Sequence, residues 1–190
     1  MRTSLTPPIS DLTAQSITDE LRLEAARQMV LGMDVDRVRG LVNRLLELGI
    51  YDDSFLEIMD AVNNELTVEV AMHLAPVLLF LDVAPPADRA EALKIIATKH
   101  LQDIVSGCTQ PVFGLSGLMA DIGWENTYAD QIPGLQPLLS DYCSYERLCG
   151  AANYRFAPGT AYTRHLAELN DTIKADAEVW LSAQNLTDLP

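Results

Sequence analysis

The sequence predicts an all-α protein, a compact multi-helix bundle of about 6–8 helices. Three observations support this class. Apolar residues recur at helical spacing over most of the chain, and capping residues stand where the helices should begin and end. In addition, no run of alternating β-branched residues is long enough to require a sheet. Residues 18–49 and 52–82 allow antiparallel helix pairs of the HEAT type, although no signature residues align between them.

The first two helices are predicted from apolar spacing and from their ends. After an extended lead-in at 1–16, Leu21, Ala25, Met29 and Val30 share one helix face, and Gly32 marks its C-terminal end. Asp34 can cap a second helix that closes at Gly49. The core face of that helix consists of Val35, Val38, Leu41, Val42, Leu45 and Leu46.

The next two helices differ in polarity. Ser54, with Glu57 three residues later, predicts a capping box that starts a third helix. The segment 66–82 is apolar nearly all round, which predicts a central helix surrounded by the others, with Pro76 inside it.

The C-terminal half is less regular. A fifth helix is expected from Pro85 to about Gly107, followed by a glycine-rich and loop-rich region at 107–134 with a short helix near 112–122. Helices are then expected near 135–149 and over about 160–183. We expect one helical domain over 17–184 and a short tail at 185–190.

The composition restricts the function. The chain has 27 acidic residues against 13 Lys and Arg, a net charge of −14. That charge argues against direct binding to a nucleic-acid backbone or an anionic membrane. Three cysteines without a CxxC pair suggest a reducing compartment, residues 1–16 contain no apolar run of the kind that a signal peptide needs, and the most apolar segment, 74–83, is too short to cross a membrane. We therefore expect a cytoplasmic protein.

The charges are divided into blocks. Residues 106–146 contain five acids and no Lys or Arg, whereas residues 147–167 contain three arginines and no acid. Arg and Tyr are suited to binding anions or a protein partner, so the second block is the predicted site. Its candidate residues are Arg147, Tyr154, Arg155, Tyr162, Arg164 and His165. The simpler interpretation, which we favour, is that these arginines pair internally with the acids at 121–146.

Other motifs are weaker. FGLSGLM (113–119) lacks the second glycine of a nucleophile elbow, and the segment from Asp34 lacks the ligands of a calcium loop. His73, His100 and His165 each stand three or four residues from a carboxylate, a spacing that a metal-binding helical bundle would use, but the Glu-x-x-His motif of such bundles is missing. The cysteines are better interpreted as structural than as catalytic.

Three hypotheses of function follow. The leading one is a non-enzymatic acidic protein that binds another protein through a basic surface of that partner, as bacterial immunity proteins, inhibitors and adaptors do. The alternative is a small-molecule enzyme or sensor with an anion pocket near Arg155 and Arg164, and His165 as acid or base. The third is a carboxylate and histidine metal-binding bundle. No cofactor is predicted, and homo-oligomer formation and mimicry of DNA are left open.

Overall fold

The computed structural model describes residues 12–60, 66–123, 131–154 and 160–187. Within these ranges it contains eight helices and no strand, which confirms the predicted all-α class. The helices are α1 (Ala14–Val30), α2 (Val35–Glu47), α3 (Asp53–Asp60), α4 (Leu66–Phe80), α5 (Arg89–Val105), α6 (Pro111–Ile122), α7 (Gln136–Tyr154) and α8 (Thr160–Thr187).

The chain forms two compact units. Unit 1 is Met1–Ile96 and unit 2 is Ala97–Pro190, so the division falls inside α5. In unit 1, α1 packs on α2 and α3 packs on α4, while α4 also contacts α1 and α2. In unit 2, the helices α6, α7 and α8 pack on one another. The single domain expected over 17–184, and the HEAT-type arrangement of the pairs, stay predictions.

The ends of α1 and α2 follow the expected chemistry. The Thr13 hydroxyl accepts a hydrogen bond from the Ser16 N–H at 3.2 Å, and Gly32 follows α1 with φ +116°. Asp34 caps α2 as predicted, because its carboxylate accepts from the Arg37 N–H at 3.0 Å. Gly49, with φ +79°, lies just after this helix in a conformation that L side chains rarely adopt.

A buried carboxylate fixes the connection between α1 and α2. Glu24 is fully buried and accepts hydrogen bonds from the Arg27 guanidinium at 2.6 Å and from the Asp34 N–H at 2.9 Å. One turn earlier, buried Glu20 accepts from the Arg37 guanidinium at 2.7 Å. Charge-assisted bonds of this kind are stronger than neutral ones, and they set where α2 begins.

The predicted capping box of α3 is wrong. The helix starts at Asp53, and it is Asp52 that accepts hydrogen bonds from the Ser54 N–H, at 2.9 Å, and from the Ser54 hydroxyl. These two bonds hold the pKa of Asp52 below its ordinary value. The Asp52 side chain thus takes the capping role that the spacing assigned to Ser54, since Asp and Ser compete for the same backbone donors.

The core of unit 1 is one apolar cluster to which four helices contribute. Its aromatic member, Phe55, makes an edge-to-face contact with Phe80 at 5.6 Å between ring centres. The buried members are Ile17, Leu21, Val38, Leu41, Val42, Leu45, Phe55, Ile58, Val70, Leu74, Val77 and Leu78.

The position predicted for α4 is also wrong. Its core face is buried, but the opposite face is open: Val68, Met72 and Leu79 are 62%, 69% and 63% exposed. A helix with no polar face was expected to be surrounded by others. Instead, α4 has helix neighbours on one side and leaves an apolar surface on the other.

Unit 2 relies on close contacts around α6. The FGLSGLM segment lies within this helix, and a Cβ atom at Gly114 would lie 2.5 Å from Ile104 Cγ1. Gly114 therefore allows α6 to approach Ile104 closely. The Asn170 side chain of α8 accepts from the Val112 N–H at 3.1 Å, and the Trp180 indole N–H donates to the Pro133 carbonyl at 3.0 Å.

None of the helices that the structure describes combines the length and apolar character needed to span a bilayer.

We expect the substitution Glu24→Ala to lower the free energy of unfolding by about 3–5 kcal/mol, because it leaves a guanidinium and a backbone N–H without their buried acceptor. The matched control is Glu47→Ala, which removes an exposed carboxylate 2.9 Å from Arg44 and should cost less than about 1 kcal/mol. Urea unfolding followed by circular dichroism measures both. Equal losses in the two variants would contradict the role assigned to Glu24.

Candidate functional site

The six residues predicted as a site lie at the end of α7 and the start of α8. Arg147, Arg164 and His165 are exposed, and Tyr162 is partly buried. Tyr154 is the last residue of α7, but its side chain is outside the described part of the structure, as is Arg155 with the predicted Pro158-Gly159 turn. The groove expected between Arg155 and Arg164 therefore stays a prediction.

Arg164 has a different partner from the one expected. Its guanidinium lies 3.9 Å from Glu168, one turn along α8, with side chains 70% and 63% exposed. An exposed pair at this distance contributes little to stability. Within the described ranges, no ion pair joins Arg147 or Arg164 to an acid of 121–146.

Tyr162 has a defined neighbourhood where α7 and α8 pack. It lies near Tyr145, which forms a hydrogen bond with Cys149. This bond and partial burial raise the pKa of Tyr145 to about 12. The Tyr145 phenol is therefore neutral at physiological pH and can form hydrogen bonds, but it is not an ionised nucleophile.

The histidines do not gather around a metal site in the described part of the chain. His100 binds Asp121 of α6 at 2.9 Å, while the expected partner, Asp103, pairs with Lys99 at 3.0 Å. Nowhere among the described residues do three His, Cys, Asp or Glu side chains come together as metal ligands would. The arrangement that the third hypothesis requires has no support there.

A pair of carboxyl groups links α7 and α8. Asp141 Oδ2 is buried and has no hydrogen-bond donor within the described residues, and its neighbour is the carboxyl group of Asp176. Loss of water, the largest cause, together with the charge of Asp176 and a hydrogen bond to it, raises the pKa of Asp141 to about 6. The sequence shows only two isolated acids 35 positions apart, with no spacing to relate them.

The largest feature that the sequence analysis missed is the open face of α4. Its members recur at helical spacing, so they form one continuous row along the helix. We call this row the apolar stripe; it consists of Val68, Met72, Pro76, Leu79 and Phe80. Exposed apolar patches of this kind mark interaction surfaces.

The stripe lies in a part of the chain without positive charge. Residues 45–88 contain nine acids and no Lys or Arg. On α3, which packs on α4, Asp53, Glu57 and Asp60 are exposed and follow one another at helical spacing; we call them the acidic row. The sequence shows this acid-only segment, but it does not show which face of α4 is open.

We expect Asp141→Asn to stabilise the protein by about 1 kcal/mol at pH 7.5, a value reduced for partial exposure of the pair. The pKa of Asp141 is about 6 in the folded state, against an ordinary value of 3.8. Between these two pH values the folded state binds more protons than the unfolded state. The wild-type protein therefore loses stability as the pH rises through this window. Near pH 4 the two proteins should be equally stable. Thermal unfolding at both pH values, with exposed Asp171→Asn as control, measures this, and a loss of stability in Asp141→Asn at pH 7.5 would contradict it.

Comparisons with protein-family models, with curated proteins and with solved structures found no significant match to this chain.

Proposed function

We propose that this chain is a non-enzymatic helical protein that binds another protein with a basic surface, as an inhibitor, an immunity-type protein or an adaptor does. The observation that carries the proposal is the apolar stripe of α4 within an acid-only segment. A binding surface of this composition uses apolar burial for affinity and charge for the choice of partner.

The apolar stripe offers enough surface for binding. Val68, Met72 and Leu79 are each more than 60% exposed, and Phe80 is 46% exposed. Burying one aliphatic or aromatic side chain contributes about 1.5–3 kcal/mol. Because Val70, Leu74 and Val77 anchor the opposite face of α4 in the core, the stripe is held on a packed helix. A partner would therefore meet a preformed surface.

The charge around the apolar stripe selects the partner. Residues 1–96 contain 16 acids and eight Lys and Arg, and none of these basic residues lies between Arg44 and Arg89. A partner whose apolar surface is surrounded by Lys and Arg would be attracted by these acids over a distance. It would then bury its apolar centre against the apolar stripe. A second copy of this chain would instead bring one acidic row towards another, which disfavours self-association.

The alternative function, an enzyme or sensor with an anion pocket, has less support. Arg164, one of its two anchors, is near Glu168, and the side chains of Arg147 and His165 are exposed and do not line the cavity between residues 133–138 and α8. Its other anchor, Arg155, lies outside the described residues.

A synthetic amphipathic helix tests the proposal directly. We expect a fluorescent peptide of about 15 residues, with Leu on one face and Lys on the other, to bind the wild-type protein. The affinity should fall by about tenfold or more in Leu79→Glu, which places a charge in the apolar stripe. The control is Leu31→Glu, since Leu31 is 53% exposed in unit 1 but lies outside the stripe; its affinity should stay within about twofold.

Salt and charge provide the second control. Because attraction between opposite charges is screened, the affinity should decrease from about 50 mM to about 500 mM salt. A peptide with Glu in place of Lys should not bind. An equal loss of peptide affinity in Leu79→Glu and Leu31→Glu would overturn the proposal of a basic partner. A dimer of this chain that depends on Leu79, measured by analytical ultracentrifugation, would overturn it as well.

A further inference from the structure

Unit 2 contains a cavity that the proposed function does not use. Its volume is about 140 Å³, similar to engineered cavities of about 150 Å³ that bind small organic molecules. One wall is formed by the segment Pro133–Leu138, and the other by one face of α8. The residues of α8 that line it follow at helical spacing: Asp176, Val179, Trp180, Ala183 and Gln184.

A carboxyl group lies at this cavity. Asp176 is part of the wall and is partly buried, while its neighbour Asp141 is not one of the lining residues. A ligand that carries N–H donors and positive charge would form a charge-assisted hydrogen bond with Asp176, and its charge would offset the repulsion between the two carboxyl groups.

The rest of the lining favours an organic cation over a hydrated metal ion. Trp180 lines the cavity, and its indole N–H is already engaged by the Pro133 carbonyl at 3.0 Å, which leaves the ring for other contacts. Aromatic rings attract ammonium groups within about 6 Å of their centres. Pro137 and Leu138 add apolar surface that would cover an alkyl stem.

Among the residues that the structure describes, no basic side chain of the cavity wall competes with a ligand for Asp176. Neither Lys nor Arg is among these lining residues, and Lys174, two residues before Asp176, is exposed on a different side of α8. Residues 106–146, from which the first wall comes, contain no Lys or Arg at all.

We propose that this cavity binds an alkylammonium group, with Asp176 accepting its N–H donors and Trp180 contacting its charge. The group belongs either to a free diamine or to the side chain of a lysine. The site is independent of the apolar stripe, so it stands or falls separately from the proposed protein partner.

Tryptophan fluorescence tests the site, because Trp180 lies in its wall. The experiment uses the full chain with Trp124→Phe, which leaves Trp180 as the one tryptophan. We expect n-butylammonium to change the fluorescence with saturation, and n-butanol, which lacks the charge, to leave it unchanged at the same concentration. Titrations with 1,4-diaminobutane and with Nα-acetyl-lysine-N-methylamide then distinguish a free diamine from a lysine side chain. The compound that binds more tightly shows which of the two the cavity fits.

Matched variants complete the test. Asp176→Asn should weaken n-butylammonium binding by about tenfold, since it removes a charge-assisted hydrogen bond. Asp171→Asn, on an exposed part of the same helix, should change it by less than about twofold. Asp176→Ser is the second variant should Asp176→Asn fail to fold. The proposal is overturned if n-butylammonium gives no saturable change, if n-butanol binds equally, or if Asp171→Asn weakens binding as much as Asp176→Asn.

Discussion

The packing of α4 is the constraint on which unit 1 depends. This helix supplies Val70, Leu74, Val77 and Leu78 to a core shared with three other helices. Because α4 is apolar nearly all round, burying one face leaves another largely apolar face open unless further helices cover it. The same composition that holds the core together thus produces the apolar stripe, and the stability of unit 1 and its proposed binding surface have one origin.

The second consequence concerns charge. A soluble chain with an open apolar row risks self-association, and the acid-only segment at 45–88 opposes it by repulsion between copies. The buried carboxylates of unit 1 lie elsewhere and are paired internally: Glu24 engages Arg27 within α1, and Glu20 engages Arg37 of α2. The acids around the stripe are therefore suited to a partner, whereas those of α1 stabilise the fold.

Local chemistry predicted the helices well. Asp34 caps α2, and Gly32, Gly49 and Gly107 lie just beyond helix ends with positive φ, because these are effects of neighbouring residues. The faces of α4 were not predictable in the same way, since an apolar helix has no polar side to show which direction meets solvent. Its exposure is set by how many helices pack around it, which is a property of the fold.

The candidate sites show the same limit. Spacing along one helix suggested that His100 would meet Asp103, but the tertiary fold gives it Asp121 instead. Likewise, Asp141 and Asp176 come together only through the packing of α7 on α8. Pairs within one turn can be proposed from a sequence, whereas contacts between helices depend on crossing geometry that spacing does not contain.

The most direct test of the proposed binding surface is an NMR titration of the protein labelled with ¹³C at its six methionine methyl groups. Met72 lies in the middle of the apolar stripe and is 69% exposed, whereas Met119 is fully buried in unit 2. On addition of the basic amphipathic peptide, we expect the Met72 signal to shift with saturation and the Met119 signal to stay in place. A Met72 signal that does not move while the peptide binds would contradict the assignment of the stripe as the binding surface.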